Sequence, residues 1–126
     1  MSDITTVILA AGNSTRFKAS KSKLVYPLCG LPIVSHIFNI AKKISGKNIL
    51  VVSNEKNKEE LKLILNTSKL VVQKKQKGTA DAIEQAKKYV KSKNILILFG
   101  DTPLVEVKDI RKLVSKFKKS KAKASL

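Results

Sequence analysis

Ile4-Thr5-Thr6-Val7-Ile8-Leu9-Ala10, running on into Ala11-Gly12-Asn13-Ser14-Thr15-Arg16-Phe17, is the stretch that decides how the chain folds. Its first part is a short, largely continuous apolar run rather than an alternating one. Runs of this kind read as strands covered on both faces, as in a parallel sheet. Three more share the pattern: Ile49 to Val52, Leu70 to Val72 and Ile95 to Phe99. Helical stripes lie between them. After Pro32, the residues Ile33, Val34, Ile37, Phe38, Ile40, Ala41 and Ile44 fall on one face, with Pro32 suited to a first helical position and Gly46 to a stop. A shorter helix is expected over Lys58–Asn66, another over Thr79–Val90 with Thr79 as its cap, and a last one over Val107–Phe117. Strands alternating with helices predict an α/β fold, doubly wound, with a mainly parallel sheet and right-handed crossovers.

The wider sequence agrees with one globular domain. There are 126 residues, 43% hydrophobic and 28% charged, a soluble composition rather than a disordered one. No apolar run approaches the roughly 18 residues of a membrane span, and the first residues show no basic secretory signal. Cys29 stands alone, so neither an internal disulfide nor a cysteine-rich zinc site is expected, and a reducing cytoplasmic setting fits. The charge is lopsided, with 26 Lys+Arg against 9 Asp+Glu and a formal net charge of +17. That invites a nucleic-acid partner. Against it, only Arg16 and Arg111 are arginines, and the lysines are scattered along the expected helices. Arginine is the side chain that reads bases and clamps phosphates with two prongs, so no specific nucleic-acid partner is expected. Lys116 to Lys123 packs five lysines into eight residues close to Leu126, with no further strand, which leaves one sheet edge open.

In a sheet of this type ligands bind beyond the C-terminal strand ends. Three loops lie there. The first, Leu9 through Phe17 and on to Lys18, Lys21 and Lys23, combines small residues with cations. Its backbone N–H groups can face phosphate oxygens, and Arg16 and Lys23 can neutralise them. It is neither a Walker loop nor a three-glycine fingerprint, so composition by itself also allows a flexible basic loop. The second, Phe99-Gly100-Asp101-Thr102-Pro103-Leu104, places a carboxylate straight after a buried strand, where it can hold Mg²⁺ against a triphosphate or merely close a Gly-Asp turn. The third runs from Gln73 to Gly78-Thr79 and starts a helix whose N-terminus favours anions or polar base edges. Gln73 carries a donor and an acceptor, which suits a pyrimidine edge. His36 and Cys29 read as structural.

Together these pieces resemble a known family. Val7-Ile8-Leu9-Ala10-Ala11-Gly12, Ser14-Thr15-Arg16, Lys23 with Tyr26-Pro27-Leu28-Cys29-Gly30-Leu31-Pro32, Gln73, Gly78-Thr79-Ala80-Asp81-Ala82 and Phe99-Gly100-Asp101-Thr102-Pro103-Leu104 occur in the order and spacing of a sugar-phosphate nucleotidyltransferase. The nearest likeness is to the uridyltransferase domain of the bacterial bifunctional N-acetylglucosamine-1-phosphate uridyltransferase/glucosamine-1-phosphate acetyltransferases. The likeness covers nearly the whole chain.

The resemblance implies a Rossmann-like fold of the nucleotide-diphospho-sugar transferase type, with residues 1–126 forming the nucleotide-binding half of a truncated domain. It implies transfer of a uridylyl group from UTP to a sugar-1-phosphate, with N-acetylglucosamine-1-phosphate foremost, for cell-envelope precursor synthesis, and Mg²⁺ as cofactor. Leu9, Ala10, Ala11 and Gly12 would contact the nucleotide through the backbone. Arg16 and Lys23 would sit on the phosphates as catalytic groups, Gln73 would read uracil with Gly78 and Thr79 beside it, Gly100 would approach nucleotide or sugar, and Asp101 would hold the metal. Two departures stand out: Ser14 replaces a common glycine and Ser22 a common proline before Lys23. The family's sugar pocket, its second metal ligand and its acetyltransferase domain are expected outside this chain, so little turnover is expected from these residues by themselves. A missing C-terminal half or a homo-oligomer partner is the implied complement. The alternatives are a thymidylyl-, cytidylyl- or molybdenum-cofactor guanylyl-transferring relative, or a non-catalytic basic binding module.

Overall fold

The computed structural model describes residues 3–13, 21–66 and 69–126. Its main sheet has four parallel strands: β1 (Ile4–Leu9), β4 (Ile49–Asn54), β5 (Leu70–Gln73) and β6 (Asn94–Phe99), in the spatial order β5-β4-β1-β6. Between β1 and β4 lie a short 3₁₀ turn (Lys23–Val25), a hairpin of β2 (Pro27–Leu28) and β3 (Leu31–Pro32), and helix α1 (Ile33–Ser45). Helix α2 (Lys58–Leu65) joins β4 to β5, α3 (Thr79–Lys87) joins β5 to β6, and α4 (Val107–Lys119) follows β6. The chain thus walks from β1 out to β5, then returns to the other side of β1. That reversal makes the switch point the boundary between β1 and β6.

Side-chain parity explains the layers. Ile4, Ile8, Ile49, Val51, Leu96 and Leu98 face one way and pack against α1, α2 and α4 through Val34, Ile37, Leu61, Leu65, Ile110 and Val114. Val7, Leu50, Val52 and Val71 face the other way, onto Ala82 and Ala86 of α3. Ile8, Ile37 and Leu61 are fully buried, and truncating such a residue to alanine costs about 2–5 kcal/mol. The expected α/β class, parallel sheet and strand positions hold.

The structure departs from expectation at several places. β6 is not covered on both faces: Leu96 and Leu98 are buried, but Ile95, Ile97 and Phe99 are 41%, 38% and 49% exposed. The reason is topological, because α3 packs over β1, β4 and β5 and leaves the edge strand bare on that side. Helix α3 ends at Lys87 rather than Val90, tightening into turns through Tyr89 N–H to Ala86 O and Val90 N–H to Lys87 O. Its N-cap is Gly78, not Thr79, and no side chain caps it. Similarly Pro32 is the N-cap of α1 and Ile33 its first residue, while Gly46, at φ 59°, stops the helix as expected.

The hairpin was not expected. Cys29 (φ 50°) and Gly30 (φ 81°) occupy its tip, both with the positive φ that a tight two-residue turn requires. His36 donates from Nε2 to Leu28 O at 2.7 Å, so α1 fastens the hairpin; the imidazole is structural, as its place on the helix suggested. No helix among the described residues is long and apolar enough to cross a membrane.

Candidate functional site

The parallel strands deliver their C-terminal ends to one rim. There β1 passes close to both neighbours: Ala10 N–H donates to Val52 O at 2.8 Å, and Gly100 N–H to Leu9 O at 3.0 Å. A crevice of about 270 Å³ opens at this rim. Leu9, Ala10, Ala11, Gly12, Lys23, Gln73, Gly78, Thr79 and Asp101 all line it, although they come from four separate segments. Leu24, Gln76, Ala82 and Phe99 complete the lining; Ala82 and Phe99 belong to the quoted motifs, whereas Leu24 and Gln76 were not singled out from the sequence. Gly100 is not part of the lining. It is buried behind the rim, where a Cβ would stand 3.2 Å from Leu9 O and 3.6 Å from both Ala10 Cβ and Val34 Cγ2. Arg16 lies outside the described residues.

The loop after β1 is held from behind by two buried asparagines that sequence reading missed. Asn57 Nδ2 donates to Ala10 O at 2.8 Å, and Asn54 Nδ2 donates to Ala11 O at 3.1 Å and Gly12 O at 3.4 Å. The pair also fasten each other: Asn54 N–H donates to Asn57 Oδ1 at 2.9 Å and Asn57 N–H to Asn54 Oδ1 at 2.8 Å. Three consecutive carbonyls are therefore drawn toward the interior. The N–H groups of Ala11 and Gly12 have no partner among the described residues, which leaves them for a ligand's acceptor atoms. The signal in the sequence was Ser53-Asn54-Glu55-Lys56-Asn57 at the end of a buried strand, an Asx-turn pattern.

The opposite wall is the segment from β5 to α3. Gln73 is 3% exposed, and its Nε2 donates to Asp81 Oδ2 at 2.7 Å and to Gly78 O at 3.2 Å. Gln76 reaches across the crevice and donates from Nε2 to Ala11 O.

At the mouth, Lys23 and Asp101 form an ion pair with Nζ and Oδ2 3.1 Å apart. Ser22 opens the 3₁₀ turn that carries Lys23, its hydroxyl accepting from Leu24 N–H at 3.4 Å. Asp101 is the carboxylate of the crevice lining, and among the described residues no three metal-ligating side chains cluster anywhere. One half-exposed carboxylate beside an anion-ready loop fits Mg²⁺, which keeps its waters and shares substrate phosphates instead of filling an all-protein cage.

A family model described as the MobA-like NTP transferase domain matches residues 6–126. The chain belongs to that family. Among its relatives, the bifunctional protein GlmU of Buchnera aphidicola subsp. Schizaphis graminum is 43% identical over 120 residues, which make up 94% of this chain and 26% of that protein. The chain thus spans about a quarter of the length of the curated relatives it matches. Among solved structures, a putative glucose-1-phosphate thymidylyltransferase from Bacillus anthracis superposes with a TM-score of 0.83 at 21% identity, covering 94% of this chain and 51% of that one. A manganese complex from Mycobacterium tuberculosis H37Rv gives a TM-score of 0.73 at 19% identity, covering 90% and 58%. Both share the fold. The family expected from the motifs and the Rossmann-like architecture therefore hold.

Proposed function

We propose that the chain is the nucleotide-binding part of a uridylyltransferase that joins UTP to a sugar-1-phosphate, with N-acetylglucosamine-1-phosphate foremost. The observation that carries this reading is the gathering of the β1 loop, Lys23, Gln73 and Asp101 on one crevice at the switch point. The likeness to GlmU proteins supports the choice of sugar nucleotide.

In this reaction an oxygen of the sugar-1-phosphate attacks the α-phosphorus of UTP. The bond from that phosphorus to the bridging oxygen breaks, and pyrophosphate leaves. Such chemistry asks for alignment and charge neutralisation, not a covalent nucleophile. The N–H groups of Ala11 and Gly12 take phosphate oxygens. Lys23, released from Asp101, brings its ammonium onto them, and Arg16 joins from the same loop. Gln73 and Gly78 meet the base. Mg²⁺ held by Asp101 and the phosphates would supply further neutralisation of the triphosphate.

The test is calorimetric titration of the chain with UTP in Mg²⁺, followed by an assay for UDP-sugar and pyrophosphate. Saturable UTP binding with weak turnover is expected. Absence of UTP binding overturns the reading. A second reading keeps the transfer and changes the nucleotide. It is favoured by the MobA-like family model and the thymidylyltransferase neighbour, so dTTP, CTP and GTP belong in the same titration. Tight nucleic-acid binding with a steep salt dependence would support the basic-module alternative instead.

A further inference from the structure

We propose that Asp81 sets the base specificity of the crevice by fixing which end of the Gln73 amide faces the ligand. The inference rests on the nucleotide-binding reading above and deepens it. Gln73 is almost completely buried, yet it lines the crevice. An amide group can turn either its oxygen or its nitrogen toward a base, and the two choices select opposite partners. Here the surroundings allow one. The nitrogen end meets two atoms that can only accept, the Gly78 carbonyl at 3.2 Å and the Asp81 carboxylate at 2.7 Å. Reversing the amide would set its oxygen against both. Each lost pairing in a buried site is costly, the one to the carboxylate above all.

Both N–H bonds of Gln73 are therefore consumed, one by each acceptor. What remains is Oε1, which has no hydrogen-bond partner among the described residues. Gln73 thus presents an acceptor and no donor. An acceptor at the ring edge selects a base that carries a ring N–H there: uracil or thymine among pyrimidines, guanine among purines. Where it faces the ring nitrogen, cytosine and adenine turn a lone pair toward it and bind less well, their amino donor lying at the neighbouring position. Asp81 does not line the crevice, so it is a positioning residue that acts through Gln73. Gly78 cannot perform this task without it, because a single carbonyl leaves the second N–H of Gln73 free to turn toward the ligand.

UTP and CTP isolate the effect, since they share size, sugar and phosphates and differ at the edge in question. The experiment titrates the chain with each nucleotide in Mg²⁺, for wild type, Asp81→Asn and Asp81→Glu. Wild type is expected to prefer UTP by about tenfold or more. Asn offers a donor as well as an acceptor, so the Gln73 amide can reverse, and the UTP-to-CTP ratio is expected to collapse to within about threefold while the triphosphate is still bound. Asp81→Glu keeps the acceptor and is expected to retain the preference. Asp81→Ala serves if Asp81→Asn does not fold, with the same expected loss of preference.

The outcomes separate cleanly. If wild type binds no nucleotide, the nucleotide-binding reading falls and this inference with it. If wild type binds UTP and CTP equally, the reading survives on its phosphate contacts and the inference is overturned. If wild type prefers UTP and Asp81→Asn keeps the full preference, Asp81 has no part in base selection.

Discussion

Lys23 Nζ stands 3.1 Å from Asp101 Oδ2, across the mouth of a crevice formed where β1 and β6 end. The two residues are joined by a contact that no helix or strand requires. Both side chains are about two-fifths exposed, 40% and 44%. At that exposure an ion pair is well screened and contributes at most about 1 kcal/mol to folding. A triphosphate offers Lys23 more acceptors than one carboxylate does, and a divalent cation offers Asp101 a stronger partner than one ammonium. Under the proposed function, the pair would exchange partners when a triphosphate and its cation arrive.

Replacing Lys23 by alanine should separate stability from binding. The unfolding free energy is expected to change by less than about 1 kcal/mol. UTP affinity is expected to fall roughly tenfold to a hundredfold, the scale of a lost charge-assisted hydrogen bond. Urea denaturation and calorimetric titration of the same sample measure both. A large loss of stability with unchanged affinity would make Lys23 a scaffold residue.

Asp101→Asn tests the metal role. In the wild type, UTP affinity is expected to rise with added Mg²⁺. The variant should lose most of that Mg²⁺-dependent gain, because the neutral amide is a poorer ligand for a hard cation. Equal Mg²⁺ dependence in both proteins would exclude Asp101 as the metal's protein ligand.

The buried asparagines make a different prediction. Asn57→Ala leaves the Ala10 carbonyl and the Asn54 N–H without their partners. Each orphaned buried group costs about 1–3 kcal/mol, so a clear drop in urea midpoint is expected. Asn57→Asp should not rescue it, since a carboxylate cannot donate to Ala10 O. Nucleotide affinity should fall as well, because the carbonyls that hold the β1 loop in place are released.

These residues also show what could be read from the chain and what could not. The four strands of the main sheet and the four helices were legible because burial leaves continuous apolar runs in the strands and a helical period of apolar side chains in the helices. The exposed flank of β6 was not legible. Ile95, Ile97 and Phe99 look like core residues in any linear reading, and only the strand order reveals that α3 stops short of them. The hairpin at Cys29-Gly30 escaped because its strands are two residues long, too short for a period. The crevice residues could be singled out by type, but the way they are fixed could not. An Asx-turn pattern records the bonds that Asn54 and Asn57 make to each other, but not those they make to the β1 loop 42 to 47 positions away, nor the bond between Asp81 and Gln73.

A pH effect is expected at the other end of the sheet. Lys118 pairs with Asp3 at 2.9 Å, tying α4 to the start of β1. The hydrogen bond from Lys118 holds the Asp3 carboxyl below its ordinary value of 3.8. A carboxyl with a lowered folded-state value stabilises the fold above its unfolded value and loses that contribution as pH falls through the folded one. The effect is therefore confined to acid below about pH 4. Lys118→Ala should return the Asp3 titration upward toward 3.8, as followed by NMR. An unchanged titration would mean that the contact is not formed in solution.

Gly78, which lines the crevice, and Gly100, buried behind its rim, should fail for different reasons when changed to alanine. Gly78 has φ 92° and ψ 178°, a backbone region that side chains other than glycine's hydrogen avoid. Nothing stands within 4 Å of where its Cβ would be, so the whole cost of Gly78→Ala is torsional, about 1–3 kcal/mol. Relieving that strain turns the peptide and moves the Gly78 carbonyl away from Gln73 Nε2. Gly100 has no such torsion, and its limit is space: the new Cβ would meet Leu9 O at 3.2 Å, which a shift of a few tenths of an ångström between β1 and β6 relieves. Gly78→Ala is therefore expected to lower thermal stability and weaken preference among nucleotides together. Gly100→Ala should lower stability less and leave that preference in place, since Gln73 and its two acceptors are untouched. Thermal melts and nucleotide titrations of the two variants side by side decide it. If Gly100→Ala proves the more damaging to preference, the packing of β1 against β6, not the turn before α3, governs how the base is held.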